Sequence, residues 1–192
     1  MVEDYNKIIE SLNIRFIRSN GLEAYKPINI KNYYDFQSTL LLVDKGDMSF
    51  GVPAFPLKPG NILFLPGGKN TSITFGKGDM PQINNEVFVN NKELYLRSSQ
   101  DPLSHEKIVA KYLSVTFDAK AFDSVNFFST LDIPPFVIEN SPLIEGLIRK
   151  TDRELNSDKV AKLRLLNLYT EELVIETFRY ILDNQMFVEQ LA

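Results

Sequence analysis

The chain has no cysteine, no tryptophan and a single histidine among its 192 residues. Without cysteine it cannot form disulfides, zinc–thiolate sites or a thiol nucleophile. One histidine, His105, cannot build the two- or three-histidine sites that hold zinc or iron. It lies in the polar stretch DPLSHEKI, where a solvated side chain is the ordinary role. We therefore expect no metal, no cofactor and no catalytic residue.

Targeting segments and nucleotide-binding motifs are also missing. The longest aliphatic run is LLLV, far short of a membrane span, and the acidic N-terminal residues do not resemble a signal peptide. The net charge of −4 and the lack of clustered basic residues argue against direct contact with nucleic acid. No GxSxG, P-loop or GxGxxG motif occurs. These absences predict a cytoplasmic protein that neither crosses a membrane nor performs nucleophilic catalysis.

Short apolar runs separated by glycine and proline turns fill the chain from about residue 28 to 118. The runs are STLLLV, DMSFGV, NILFLP, TSITF, ELYLR and AKYLSVTF. Such spacing predicts a mainly β sandwich or barrel. In the last run Tyr112, Ser114 and Thr116 face one way, whereas Leu113, Val115 and Phe117 face the other. The polar stretches 76–91 and 97–108 are predicted loops that border a site or a partner.

Helical patterns lie at both ends of the chain. Residues 2–12 predict a short helix, after which Gly21 and Pro27 indicate a loop. Ser141 is a predicted N-cap followed by Pro142, and NSD at 156–158 marks a turn before a long helix over 158–187. The apolar stripe of the long helix is wide enough to bury more than one side. For a face that pairs with a second copy, the stripe suggests Leu163, Leu166, Val174, Phe178 and Ile181.

Aromatic residues in or beside the strands are the candidates for a ligand pocket inside the β structure. They are Tyr33, Phe36, Phe50, Phe64, Tyr95 and Phe117. Each is equally compatible with a place in the core, which is where strand aromatics usually lie. Arg97 ends its strand and could pair with an anionic ligand, or be a surface charge with a packed stem.

Taken in order, LLLVDKGDMSF, FPLKPGNILFLPGG and YLSVTFD resemble the N-terminal part of AraC-type transcription regulators. The resemblance implies a cupin barrel (a double-stranded β-helix, or jelly roll) over 1–139 and a C-terminal α-helical hairpin over 140–192 that mediates dimerisation. It also implies a DNA-binding helix-turn-helix domain, which this chain does not include. We expect either a piece of a longer regulator or a stand-alone sensor.

The function implied by this resemblance is effector sensing without chemistry. A small molecule of unknown identity would bind the barrel without metal, and a homodimer formed through the C-terminal helices would pass the signal to DNA through the missing domain. Two alternatives stay open. One is a metal-free cupin enzyme that acts on a sugar or keto acid, and the other is a structural dimerisation module with a filled barrel and no ligand.

Overall fold

The computed structural model describes residues 2–101 and 107–192. The helices are α1 (Val2–Glu10), α2 (Asn85–Asn90), α3 (Phe127–Thr130), α4 (Pro142–Leu155), α5 (Lys162–Asp183) and α6 (Val188–Leu191), with a 3₁₀ turn at Lys92–Leu94. The strands are β1 (Leu12–Ala24), β2 (Ile28–Tyr33), β3 (Ser38–Gly46), β4 (Met48–Phe50), β5 (Phe55–Leu57), β6 (Ile62–Leu65), β7 (Thr71–Phe75), β8 (Gln82–Ile83), β9 (Leu96–Ser98), β10 (Ala110–Ala121), β11 (Val125–Asn126) and β12 (Phe136–Ile138).

The strands form two separate sheets rather than one closed barrel. A seven-stranded sheet has the order β12-β6-β3-β10-β1-β9, with β11 beside β10, and a five-stranded sheet has the order β5-β4-β7-β2-β8. All pairs are antiparallel except β2 with β8. In the described part of the chain no ladder joins the two sheets. The prediction of a mainly β architecture is confirmed. The described strands form two mostly antiparallel sheets with no closed barrel, and the cupin type of the fold stays a prediction.

The seven-stranded sheet is covered on both faces. In β3, Leu40 and Leu42 pack into a core shared with the helices, whereas Leu41 and Val43 pack into a second core between the two sheets. A strand buried on both sides reads as a continuous apolar run, which explains LLLV. The molecule is therefore a three-layer arrangement of helices, large sheet and small sheet.

The helical segment 140–192 shares its core with the large sheet. Ile144 and Ile148 of α4 and Leu173 of α5 belong to the same buried cluster as Leu40 of β3. Segment 140–192 is thus packed on its own β structure, so a single continuous apolar core spans the two regions distinguished by sequence. This packing uses much of the broad apolar stripe of α5.

Local signals locate most element boundaries. Ser141 accepts a hydrogen bond from the Ile144 amide at 3.4 Å and Pro142 opens α4, as predicted. Gly21, in contrast, lies inside β1 and not in a loop. A Cβ at this position would stand 2.6 Å from Ser99 Oγ, so the glycine permits close packing within a strand. The predicted loop 76–91 contains the short helix α2.

A cluster of charged side chains fastens α4 to the large sheet. Asp44 of β3 pairs with Arg149 at 2.9 Å and with Lys111 of β10 at 3.5 Å. Arg149 also binds Glu145 at 3.0 Å, one turn earlier on α4. Burial raises the pKa of Asp152 and the charge of Asp44 adds to the rise, while Lys111, Arg149 and Arg153 oppose it. Asp152 therefore carries its negative charge at a cost in the folded state.

Replacing Asp152 with asparagine is expected to raise the free energy of unfolding near neutral pH. A raised carboxyl pKa means that the ionised group destabilises the folded state above that pKa, and that the effect vanishes below the ordinary value of 3.8. Urea unfolding of Asp152→Asn and wild type across this range measures the difference. The exposed Asp158→Asn variant is the control, with unchanged stability. A loss of stability in Asp152→Asn near neutral pH would contradict this account.

Candidate functional site

A cavity of about 60 Å³ lies between the two sheets. Its walls come from β1, β3 and β10 on one side and from β2 and β7 on the other, with α2 and the following 3₁₀ turn at its margin. The lining residues are Arg18, Asn20, Ile30, Tyr33, Thr39, Leu41, Ile73, Phe75, Phe88, Lys92, Tyr112, Ser114 and Thr116. Such a mixture of apolar walls and a few convergent polar groups is typical of small-molecule sites.

The large sheet supplies the polar wall of the cavity. Ser114 and Thr116 alternate along β10 with residues that face the helices, and both are buried. The Thr116 hydroxyl lies 2.8 Å from that of Thr39 on β3, so each has a partner. Hydroxyls at inward positions of a doubly covered strand cost burial energy unless they are hydrogen-bonded. The Ser114 hydroxyl adds a hydrogen-bonding group to the wall of the cavity.

Two cations face the cavity. Arg18 of β1 forms an ion pair with Asp35 in the β2–β3 loop, whose other carboxylate oxygen accepts the Gln37 amide at 3.1 Å. Lys92 reaches the cavity from the 3₁₀ turn. Burial lowers the pKa of Lys92, the charge of Arg18 lowers it further, and Asp35 opposes this. The described lining and its border thus carry two positive charges and one negative charge.

Two tyrosines complete the wall in their neutral form. Burial raises the pKa of Tyr33 to about 12, and the charge of Asp35 adds to the rise. Burial also raises the pKa of Tyr112 above its usual range, and its ring stacks on Phe75 with centroids 5.5 Å apart. Both phenols therefore keep their protons at neutral pH.

The segment 84–95 borders the cavity and contributes Phe88 and Lys92 to it. Asn84 caps α2 by accepting the Val87 amide at 2.8 Å. Asn85 joins the segment to β2 and the following loop, because its amide donates to Asn32 Oδ1 at 2.9 Å and its side chain donates to the Tyr34 carbonyl at 3.3 Å. These hydrogen bonds hold the start of the segment against the end of β2.

The structure brings one of the candidate ligand residues, Tyr33, to the cavity. Phe64 and Phe117 are fully buried in the core on the opposite face of the large sheet, where their rings stack with centroids 6.4 Å apart. Their predicted role as ligand contacts is therefore corrected to packing. Phe36 is 67% exposed on the β2–β3 loop and does not line the cavity.

The remaining three candidates lie beside the inter-sheet core without lining the cavity. Phe50 packs on Phe55 with ring centroids 5.7 Å apart, and Tyr95 is a partly buried neighbour of the inter-sheet core. The guanidinium of Arg97 lies 4.3 Å from the centre of the Tyr25 ring. Packing on an aromatic ring agrees with the second role considered for Arg97, a charge with a packed stem, and contact with an anionic ligand stays a prediction.

Sequence reasoning missed the hydroxyl wall and the cationic pair. The alternating pattern in AKYLSVTF predicted that Tyr112, Ser114 and Thr116 share one face of the strand. That face lines the cavity. Polar residues at the inward positions of a strand that is buried throughout were the signal that could have revealed the site. Arg18 and Lys92 gave no such signal, because the fold brings them together from positions 74 residues apart in a chain of 192.

The predicted self-association face also needs correction. Leu166, Val174, Phe178 and Ile181 are buried against their own chain. Of the five predicted residues only Leu163 is exposed, at 65%, and it is joined by Leu168 at 46% and Val160 at 94%. Four of the five therefore cannot meet a second copy without unpacking the core, and the exposed apolar surface of α5 lies nearer its N-terminal end.

Within the described residues no group of three or more histidine, cysteine, aspartate or glutamate side chains is arranged to hold a metal ion. His105, the candidate discussed from sequence, lies outside the described residues. Among the helices of the described part, none combines the length and apolar character required to cross a membrane.

Comparison with known proteins gives little similarity. No protein-family model and no curated protein matches the chain. A crystal structure of an apo form of ToxT from Vibrio cholerae is similar over 88% of this chain and 56% of that chain, with a TM-score of 0.45 and 7% identity. The chain thus spans just over half the length of that protein. At this level of similarity, the match does not establish a family for the chain.

Proposed function

We propose that this chain is a metal-free effector-binding and dimerisation domain of the AraC type, and that the inter-sheet cavity is its effector site. The observation that carries the proposal is the cavity itself, a partly open space between the sheets with hydroxyls on one wall and two cations at its border. The order of two sheets followed by α4 and α5 also agrees with the sequence resemblance. Regions 1–139 and 140–192 are then the sensing and pairing parts of one packed unit.

A hydrogen bond joins β1 to α5 two residues from Arg18, which lines the cavity. The strand pairing of β1 with β10 is shifted between Phe16 and Arg18, as in a β-bulge. The Phe16 amide donates to Asn167 Oδ1 of α5 at 2.9 Å, and Asn167 Nδ2 donates to the Leu163 carbonyl at 3.0 Å. A ligand that moves Arg18 therefore acts two residues from a direct tether to α5. Coupling energies of about 1–3 kcal/mol are typical of such linked sites.

The exposed part of α5 is suited to pairing with a second copy around a two-fold axis. Leu168 has Arg164 one turn before it and Glu172 one turn after it. In an antiparallel pair centred on Leu168, Arg164 of each copy opposes the partner's Glu172, and the two Leu168 side chains meet. Leu163 and Val160 are further exposed apolar side chains near the α4–α5 turn. Movement of Asn167 would change the geometry of this surface.

Thermal unfolding with a panel of sugars, organic acids and aromatic metabolites tests the proposed site. A ligand at 100 times its dissociation constant stabilises by about 2.7 kcal/mol, which is a rise in Tm of roughly 5–10 °C for a chain of this size. The Ser114→Leu variant, which fills the cavity, should lose that rise. An equal rise in Ser114→Leu would place the site elsewhere, and no rise with any compound would favour the structural module. Turnover of a sugar or keto acid would favour the metal-free enzyme.

A further inference from the structure

Ligand size is limited by the volume between the sheets. The cavity measures about 60 Å³. A water molecule needs about 10–15 Å³ by this kind of measure, so the space holds about four to six non-hydrogen atoms. A hexose or an aromatic metabolite exceeds that number. The cavity in this form is therefore suited to a small molecule with a short carbon chain.

Charge is the second constraint on the ligand. Arg18 and Lys92 face the cavity with two positive charges, and Asp35 balances one of them through its ion pair with Arg18. Within the described residues, the Lys92 ammonium has no hydrogen bond or ion pair. A partly buried ammonium without a partner is costly unless an anion reaches it. One negative charge would bring the site to neutrality.

The remaining walls constrain the rest of the ligand. Ile30, Leu41 and Ile73 present apolar surface, and Phe88 covers the side next to Lys92. These three aliphatic side chains and the Phe88 ring accept a short hydrocarbon chain, which phosphate and sulfate lack. The Ser114 hydroxyl and the neutral Tyr33 phenol can donate to a carboxylate oxygen.

We propose that the cavity binds a short-chain monocarboxylate of about four to six non-hydrogen atoms, its carboxylate held by Arg18 and Lys92 and its chain lying against the apolar wall. This inference rests on the proposed function, because it names the ligand class of the same site. Propionate is the probe with this size and charge, propionamide is its neutral counterpart, and inorganic phosphate is a small anion without a carbon chain.

The test is a titration of the whole chain with each probe. The NMR signals of the Ser114 and Thr116 amides report binding. Propionate should bind, whereas propionamide and phosphate should bind far more weakly. Lys92→Met keeps an apolar stem and should weaken propionate binding about 10- to 150-fold, the change expected for one lost charge-assisted hydrogen bond. Lys58→Met, an exposed lysine in the turn after β5, is the matched control and should bind as wild type.

A second variant changes the affinity in the opposite direction. Asp35→Asn removes the competing negative charge and keeps an oxygen that can accept the Gln37 amide, so it should strengthen propionate binding. Urea unfolding of Lys92→Met, with a free energy equal to that of wild type, shows that its weaker binding does not come from a damaged fold.

The outcomes separate this inference from the proposed function. Propionate binding that depends on Lys92 and Asp35 in opposite directions supports the inference. Three results would overturn the inference while leaving the effector site in place. They are propionamide binding as tightly as propionate, phosphate binding as tightly as propionate, and a neutral panel compound as the sole ligand of the cavity. If no probe and no panel compound moves the Ser114 and Thr116 signals, both proposals fail.

Discussion

Replacing Phe178 with glutamate is expected to unfold the protein, with a loss of at least about 4 kcal/mol, rather than to separate a dimer. Phe178 is 3% exposed and packs against Phe127 and Tyr5, with ring centroids 6.0 and 5.8 Å away. The variant removes a large apolar side chain and places an unpaired charge in the shared core. Circular dichroism and urea unfolding measure the loss.

The matched control lies on the same helix. Leu163 and Leu168 are exposed, so Leu163→Glu with Leu168→Glu should keep the wild-type free energy of unfolding to within about 0.5 kcal/mol. Sedimentation equilibrium should show that this double variant no longer self-associates, because the two Leu168→Glu charges would meet at the proposed two-fold axis. A folded and stable Phe178→Glu variant that has lost self-association would restore the original sequence-based face and contradict the burial seen here.

Replacing Phe64 with alanine should cost about 3–5 kcal/mol of stability, the usual cost of removing a fully buried phenylalanine. Phe64 of β6 packs against α3 and the neighbouring strand β12, because its ring lies 5.0 Å from that of Phe128 and 5.1 Å from that of Phe136. The side chain makes no contact with the cavity, so the effect on ligand affinity should follow stability alone. Urea unfolding gives the free energy.

Phe36 gives the matching control for this prediction. Phe36→Ala removes the same side chain from a position that is 67% exposed, and its stability should change by no more than about 0.5 kcal/mol. Similar losses in both variants would mean that the packing role assigned to Phe64 is wrong. Loss of ligand binding in Phe64→Ala without loss of stability would return Phe64 to its earlier interpretation as a ligand contact.

Local sequence patterns predicted the elements that carry their own physical signal but missed β1 (Leu12–Ala24), which lies before the predicted β region. Ser141 followed by Pro142 located the start of α4, and alternation in β10 separated its two faces. Glycine was the weaker guide. Gly21 indicated a loop from sequence, but β1 continues through it, and a Cβ there would stand 2.6 Å from Ser99 Oγ. The same residue type serves turns and close approaches, and sequence alone does not distinguish them.

The arrangement of the site could not be read from the sequence because it depends on how layers stack. The helices cover one face of the large sheet and the small sheet covers the other. Which of these two layers an aromatic side chain would meet was not visible from the sequence. Phe64 and Phe117 face the helices, while Tyr33 faces the cavity. For α5 the apolar stripe was visible, but the share of it buried by the protein's own sheet was not. Leu166 and Val174 became core for that reason, and Leu163 stayed exposed.

The central claim is that the space between the two sheets is the effector site. A crystal structure of the protein with the panel compound that raises Tm most tests it directly. The account predicts electron density for that compound between the Ser114 hydroxyl and the Arg18 and Lys92 side chains. Density at another surface, with the inter-sheet space closed by the protein's own side chains, would contradict it.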